Sequence, residues 1–477
     1  MVYSFLNNIY KIIYVWSFSN NTLPIVYKIV AVWAGEEGSI MTWMLFNTII
    51  INLFRMGNRN KEDLIFIRSA IMSSIILSVF LIILLYLNPF KLQSSSPSDG
   101  LGLSPLLISP FMIWHPFFTF IAYGIFLIPF TITIAEILSR NTTPLGPFQQ
   151  NFYKFTLKFG WLVLTLSIGL GAYWAKIALT PWGRYWGWDQ VETVSLIPWF
   201  FITAYFHTMP FQKKNPNLVK INLVLIFIAI IFSTLITRAG ISPIHSFTGV
   251  SELIIWLTII GLILTVFSLY VIYIVLDYVL QEYRKTKLLF DYLSYIFLFS
   301  LSFVCIFGLF VTPLTIMLSY FFPINIIYIG PDFFMITTLI LAICLALSLT
   351  FCNTYGKIGT KLIIYLIIIV FAIQSIFSII LLIYLDVWIN PLIAIFFTAL
   401  IVSIWSIIKN LNFKKGIKHF FKINSKTIIH AGISFILIGF LINQNYWIFQ
   451  DIFYITGFIF LLSGIIPSII MTLFVKH

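Results

Sequence analysis

Residues 66–88 read Phe66-Ile-Arg-Ser-Ala-Ile-Met-Ser-Ser-Ile-Ile-Leu-Ser-Val-Phe-Leu-Ile-Ile-Leu-Leu-Tyr-Leu-Asn88. The run carries one charge, Arg68, near its start, and nothing beyond it that water must solvate. At about 1.5 Å per residue such a helix reaches across a hydrocarbon layer about 30 Å thick. Comparable runs recur near 38–54, 111–138, 159–179, 195–211, 219–237, 253–278, 292–312, 333–351, 362–384, 389–408, 427–443 and 453–473. The pattern predicts an all-α, polytopic membrane helical bundle of about thirteen transmembrane helices. No stretch between runs is long enough for a sizeable soluble domain. The short alternating segments of a membrane barrel are absent. Composition agrees: 60% of residues are hydrophobic and 9% charged, with a mean hydropathy of +1.03, where soluble domains carry about a quarter charged residues.

The net charge of +13 raises nucleic acid as a partner, but its distribution excludes it. Threading the thirteen helices places 22 of the 28 Lys and Arg residues in every second loop or at its edge. Only Lys11, Lys28, Lys91, Lys176, Arg184 and Arg238 fall on the other side. That is the positive-inside asymmetry, and the partner it implies is a lipid bilayer. The basic side is the cytoplasm or the mitochondrial matrix. Residues 1–37 form an outer-side N-terminal segment, and 38–477 a transmembrane domain with an outer loop at 180–194. Residues 91–105 read as a polar outer loop and 409–426 as a basic inner loop. Cys305, Cys344 and Cys352 form no Cys-x-x-Cys pair and read as small buried hydrophobes. The N-terminus lacks the basic-then-apolar pattern of a cleavable signal. The abundance of Ile, Phe, Tyr, Asn and Lys fits an AT-rich coding genome.

Four of the six histidines pair by depth. His207 lies about thirteen residues into a helix entering from outside, and His430 about four residues into one that starts inside, so both sit near the inner level. His115 opens a helix at the outer side, and His245 follows one that ends there. Taken singly, each reads equally well as an imidazole hydrogen-bonded to a neighbouring helix, since a polar group in lipid must find a partner. Two imidazoles at one level suit bis-histidine haem iron. Between the two levels' histidines lies Trp182-Gly-Arg-Tyr-Trp-Gly-Trp-Asp189. An interfacial belt scatters its aromatics over many helix ends, whereas Trp182, Tyr185, Trp186 and Trp188 crowd into seven residues, a surface suited to a flat porphyrin. Arg184 is suited to a haem propionate. Asp189 and Glu192 are placed to cap the following helix or to order the loop.

This run is similar to the tryptophan-rich "WWD" signature of haem-handling membrane proteins, and the chain resembles the CcmF-type cytochrome c haem lyases of system I cytochrome c maturation. The matching blocks, in order, are Asn21-Thr-Leu-Pro24, Val32-Trp-Ala-Gly-Glu-Glu-Gly-Ser39, Leu103-Ser-Pro-Leu-Leu107, Ile113-Trp-His-Pro116, Ile197-Pro-Trp199 with His207, Thr237-Arg-Ala-Gly240 with His245, Ile329-Gly-Pro-Asp-Phe-Phe334 and His430-Ala-Gly432. The resemblance implies that His115 and His245 hold an incoming haem, the substrate, over Trp182, Arg184, Tyr185, Trp186, Trp188 and Asp189. It implies that His207 and His430 ligate a resident haem b that takes electrons from a quinol. The reaction implied is thioether formation between haem vinyl groups and the cysteines of an apocytochrome c Cys-x-x-Cys-His motif, with other maturation subunits or respiratory-complex subunits as further partners and no nucleophile from this chain. The implied location is the mitochondrial inner membrane, or the bacterial inner membrane, with the Trp-rich loop facing the intermembrane space or periplasm.

Family members also carry helices ahead of the block at residue 20 and a large outer domain before the last helix, where this chain has only Asn443–Asp451. The chain is expected to be a trimmed member. The competing expectations are a structural or vestigial membrane subunit of a respiratory-chain assembly and a transporter. Few charges fall mid-helix, where ion paths place them, which disfavours the transporter.

Overall fold

The computed structural model describes residues 1–57, 64–139, 147–178, 185–208, 210–238, 253–282, 286–354, 360–385, 390, 392–411, 416–442 and 446–473. Three short helices, α1 (Val2–Leu6), α2 (Ile13–Phe18) and α3 (Ile25–Val30), precede the long ones. These are α4 (Glu36–Gly57), α5 (Leu64–Leu87), α6 (Pro110–Leu138), α7 (Pro147–Ala178), α8 (Gln190–Tyr205), the single turn α9 (Phe211–Lys214), α10 (Pro216–Arg238), α11 (Leu253–Glu282), α12 (Thr286–Ser319), α13 (Pro331–Thr354), α14 (Thr360–Leu385), α15 (Ile393–Lys409), α16 (Gly416–Leu441) and α17 (Trp447–Leu473). Each of the thirteen expected runs holds a helix among the described residues. Among the described residues, ten helices are long and apolar enough to cross a membrane; α8 and α15 are shorter, and α14 runs the 26 residues Thr360–Leu385.

The helices outrun their apolar cores, and this corrects three expectations. Residues 409–426 are not all loop: α16 begins at Gly416 and carries Lys418, His419, Lys422 and Lys426 on its first turns. His430 therefore lies fourteen residues into α16 rather than four. Intrahelical hydrogen bonds do not require apolar side chains, so a helix continues past the hydrocarbon edge into the polar zone. Conversely, α8 stops at Tyr205, and His207 sits just beyond its end. Phe206 N–H donates to Thr203 O (3.2 Å) and His207 N–H to Ala204 O (2.8 Å), the tightened last turn of a helix approaching Pro210.

The chain divides into two compact units. One comprises Met1–Trp199, Lys220–Leu262 and Leu309–Ile327. In it α6 packs along α7, and α4 and α5 pack on α6. Trp43 meets Phe80 (ring centroids 4.6 Å) and Tyr123 (5.8 Å), and the Tyr123 and Ser233 hydroxyls pair at 3.0 Å. At the basic ends, Arg68 donates to Ser139 Oγ (2.7 Å) and Lys220 stands 3.9 Å from Glu136. At the opposite ends, residues 1–37 and the 91–105 loop share a small core around Phe5, Tyr14, Val15, Ala31 and Leu103. Tyr14 fixes the entry to α4: its hydroxyl donates to Val32 O (3.1 Å) and accepts from Gly35 N–H (2.8 Å). Burial raises its pKa well above the usual phenol value, which keeps it the donor that Val32 needs.

The second unit comprises Phe200–Val219, Ile263–Gly308 and Tyr328–His477. Here α16 packs along α17 and on α15, and α15 meets α13 and α14. The α16–α17 contact is close because it is built on glycine. A Cβ on Gly432 would stand 2.7 Å from Gly457 O, and one on Gly457 2.8 Å from Gly432 O. Backbones approach in this way where helices associate in lipid without a hydrophobic driving force.

Candidate functional site

His430 and His207 come together within the second unit. Their ring centroids lie 6.4 Å apart with planes 12° from parallel. His207 Nδ1 is 3.0 Å from Thr203 O. A carbonyl only accepts, so Nδ1 carries the proton and Nε2 holds the lone pair. His430 is buried, and its Nδ1 has no hydrogen-bond partner, a costly state for a polar atom at this depth unless a ligand completes it. The Gly432–Gly457 contact fixes the height of α16 and hence of His430.

Among the described residues no group of three or more His, Cys, Asp or Glu is placed to hold a bare metal ion. Two imidazoles alone suit a metal whose other positions are filled by a macrocycle. Metal–imidazole bonds of about 2 Å on each side, with the ring radius added at each end, separate axial imidazole centroids by about 6.3 Å. The spacing of the pair and the tautomer of His207, which leaves the lone pair on Nε2, suit haem iron, and the unpartnered Nδ1 marks His430 as a buried imidazole with hydrogen-bonding capacity unmet.

Sequence reasoning missed two neighbours of this pair. Lys426 lies one helical turn before His430, on the same face of α16, and its Nζ is 3.5 Å from Asp291 Oδ1 on α12. The i−4 spacing of a cation to His430 was the available signal. Asp291 gave none, because only the packing of α12 brings it there.

His115 occupies the first unit. Its Nδ1 is 2.8 Å from Ser167 O on α7, so Nδ1–H donates and Nε2 is again the lone-pair nitrogen. Ser167 Oγ and Thr119 Oγ1 both stand within hydrogen-bond reach of His115 O (3.1 and 2.9 Å) and of each other, so one hydroxyl donates to the carbonyl and the other to its fellow hydroxyl. Gly171 makes room for the ring: a Cβ there would stand 2.7 Å from His115 Cε1.

Of the Trp-rich run, Tyr185, Trp186, Trp188 and Asp189 are described; Trp182 and Arg184, like His245, lie outside the described residues. Tyr173 joins Phe111 of α6 (5.1 Å) to Tyr185 (6.1 Å), so the run stands at the His115 end of the bundle. The expectation of an open aromatic surface is corrected in part. Tyr185 and Trp186 are buried at 4% and 9% exposure, Tyr185 lies under Lys176 (4.7 Å), and Trp188 is only half-buried, edge-on to Trp186 at 6.1 Å. These rings pack into the chain's own core because each buries a large apolar area there. Trp188 has φ +57°, a left-handed conformation uncommon for a bulky residue and one that fixes where its ring points.

Asp189 and Glu192 form a capping box on α8. Asp189 Oδ2 accepts from Val191 N–H (3.1 Å), while Glu192 Oε2 accepts from Asp189 N–H (3.3 Å) and Gly187 N–H (2.8 Å). One oxygen of the carboxylate expected among the haem-contacting groups thus helps order the loop.

Residues 33–245, which include His115, the Trp-rich run, His207 and His245, match the model of the cytochrome c assembly protein family. Over those residues the chain is similar to that family. Over that part it is similar to the cytochrome c-type biogenesis proteins CcmF of Escherichia coli (32% identity over 260 residues, 52% of this chain and 39% of that one) and CcmF of Pseudomonas aeruginosa (31% over 284 residues, 56% and 42%). NrfE of Haemophilus influenzae, another cytochrome c-type biogenesis protein, is 30% identical over 252 residues (52% and 39%). The chain spans less than half the length of these curated relatives. The solved cytochrome c heme lyase CcmF superposes with a TM-score of 0.63 at 18% identity, covering 93% of this chain and 68% of that one. The shared fold therefore extends beyond the segment that the family model matches.

Proposed function

We propose that this chain acts in cytochrome c maturation as a haem lyase, with a resident haem b held between His207 and His430 and a substrate haem received at the His115 end. The observation that carries the reading is the near-parallel His207–His430 pair at 6.4 Å with its orphaned ring nitrogen. The bound resident haem supplies one-electron chemistry, fed by a quinol, that keeps the substrate iron ferrous.

This chain's own residues position. His115 offers Nε2 because Ser167 O holds the Nδ1 proton. Trp188, fixed by the Asp189–Glu192 cap, sets the wall against which a porphyrin face lies, with Tyr185 packed behind it and Trp182, Arg184 and His245 assigned to the same site by sequence. Thioether formation adds a cysteine S–H of an apocytochrome Cys-x-x-Cys-His motif across a vinyl C=C. One C–S and one C–H bond form, and no electrons are lost overall. The chain supplies no nucleophile, so its contribution is orientation and exclusion of water. The membrane we assign is the mitochondrial inner membrane, with the bacterial inner membrane as the counterpart, and the Trp-rich loop faces the intermembrane space or periplasm. Partner maturation subunits complete the assembly.

The test is the absorbance of the purified chain. A reducible b-type spectrum, lost in His207→Ala and in His430→Ala, is expected. A folded, haem-free protein overturns the lyase reading in favour of a structural membrane subunit.

A further inference from the structure

Lys426 is half-exposed at 55%, and its Nζ reaches Asp291, 23% exposed, at 3.5 Å. It is one turn from His430 on the same face of α16, and its charge bears on both imidazoles of the pair; Asp291's bears on His207. The first turns of α16 carry further cations, Lys418 and Lys422, which point along the same inner end. Asp291 is the carboxylate that faces this cluster from α12. An exposed ion pair of this kind adds little to stability, so holding the fold does not account for its place beside two buried histidines.

Haem carries two carboxylates at the edge of an apolar disc. A disc ligated between His207 and His430 needs a cation at its polar edge, and a Lys stem can follow apolar surface while its ammonium stays at the rim. We propose that Lys426 is the positioning residue for the resident haem: it exchanges Asp291 for a haem propionate, orients the macrocycle between the two imidazoles, and biases the iron toward the ferrous state. The proposal rests on the reading of His207 and His430 as axial ligands. The sign follows from Coulomb's law, since a positive charge near the iron disfavours its more positive oxidation state, and removing Asp291 frees Lys426 to act more strongly.

The experiment is potentiometric titration of the full chain in detergent, read from its reduced-minus-oxidised absorbance. At a fixed potential, K426Q is expected to lower the ferrous-to-ferric ratio by about fivefold, the effect of one charge roughly 10 Å away in a partly screened medium. K426R is expected to restore the ratio, D291N to raise it, and K422Q, one turn further out, to leave it near wild type. A two-histidine spectrum with an unmoved midpoint in K426Q, or an equal shift in K422Q, overturns the role of Lys426 alone. Absence of the spectrum in the wild-type chain overturns the axial-ligand reading, and the proposal with it.

Discussion

The imidazoles of His207 and His430, separated by 222 positions in the chain, lie with their planes 12° from parallel and their centroids 6.4 Å apart. Two unconnected elements meet to make this pair: a tightened turn after α8, and a helix set at its height by facing glycines. The glycines give the first prediction. Gly457→Val would drive two methyl groups toward the Gly432 carbonyl and Ile436. A destabilisation of about 1–3 kcal/mol is expected from such overpacking, read as a lower Tm in detergent, and the His430 ring is expected to move with α16. An unchanged Tm contradicts the packing account.

The sequence made some of this plain and hid the rest for physical reasons. Runs such as 66–88 declare themselves because lipid tolerates nothing else, and all thirteen helices lie where hydropathy puts them. Helix ends do not, because backbone hydrogen bonding carries α16 eleven residues ahead of its apolar run, and the bend toward Pro210 ends α8 early. The pairing of His207 with His430 was legible from topology despite these errors. Asp291, Ser167 and Gly171 were not legible: each acts through a neighbour on another helix, and no local pattern marks such a contact. The burial of Tyr185 and Trp186 was hidden in the same way, because an aromatic cluster reads alike whether it faces a ligand or its own core.

Gly171→Ala tests the outer site. Its Cβ would lie 2.7 Å from His115 Cε1 and 2.8 Å from His115 Nδ1, so the ring must leave its place and loosen its bond to Ser167 O. Cytochrome c maturation is expected to fall about tenfold or more, by the general sensitivity of positioned groups to misplacement, while the b-type absorbance stays. Loss of both together contradicts the separation of the two sites.

The cap on α8 separates ordering from ligand contact. Asp189→Ala is expected to cost about 1 kcal/mol, and Asp189→Asn, an equally good cap, to restore both stability and maturation. If Asp189→Asn is stable but fails in maturation, the carboxylate touches the substrate and the capping account is incomplete.

Arg238, 7% exposed, donates to Ser39 Oγ (2.6 Å) and to Thr234 O (3.1 Å) and lies in the field of Glu36. Arg238→Met is expected to destabilise the chain by about 1–3 kcal/mol, because it removes the buried donor to Ser39 Oγ and Thr234 O and the cation whose field reaches the Glu36 carboxylate. Adding Glu36→Gln is expected to recover part of the loss. Strict additivity in thermal unfolding of the double variant contradicts the coupling.

The most direct test of the central claim is electron paramagnetic resonance of the ferric protein. Near-parallel axial imidazoles give a rhombic low-spin signal, whereas crossed planes give a strongly anisotropic one. The account predicts the rhombic low-spin form in the wild-type chain and in His115→Ala, and its loss in His430→Ala. A wild-type chain without a low-spin signal, or a signal that survives His430→Ala unchanged, contradicts it.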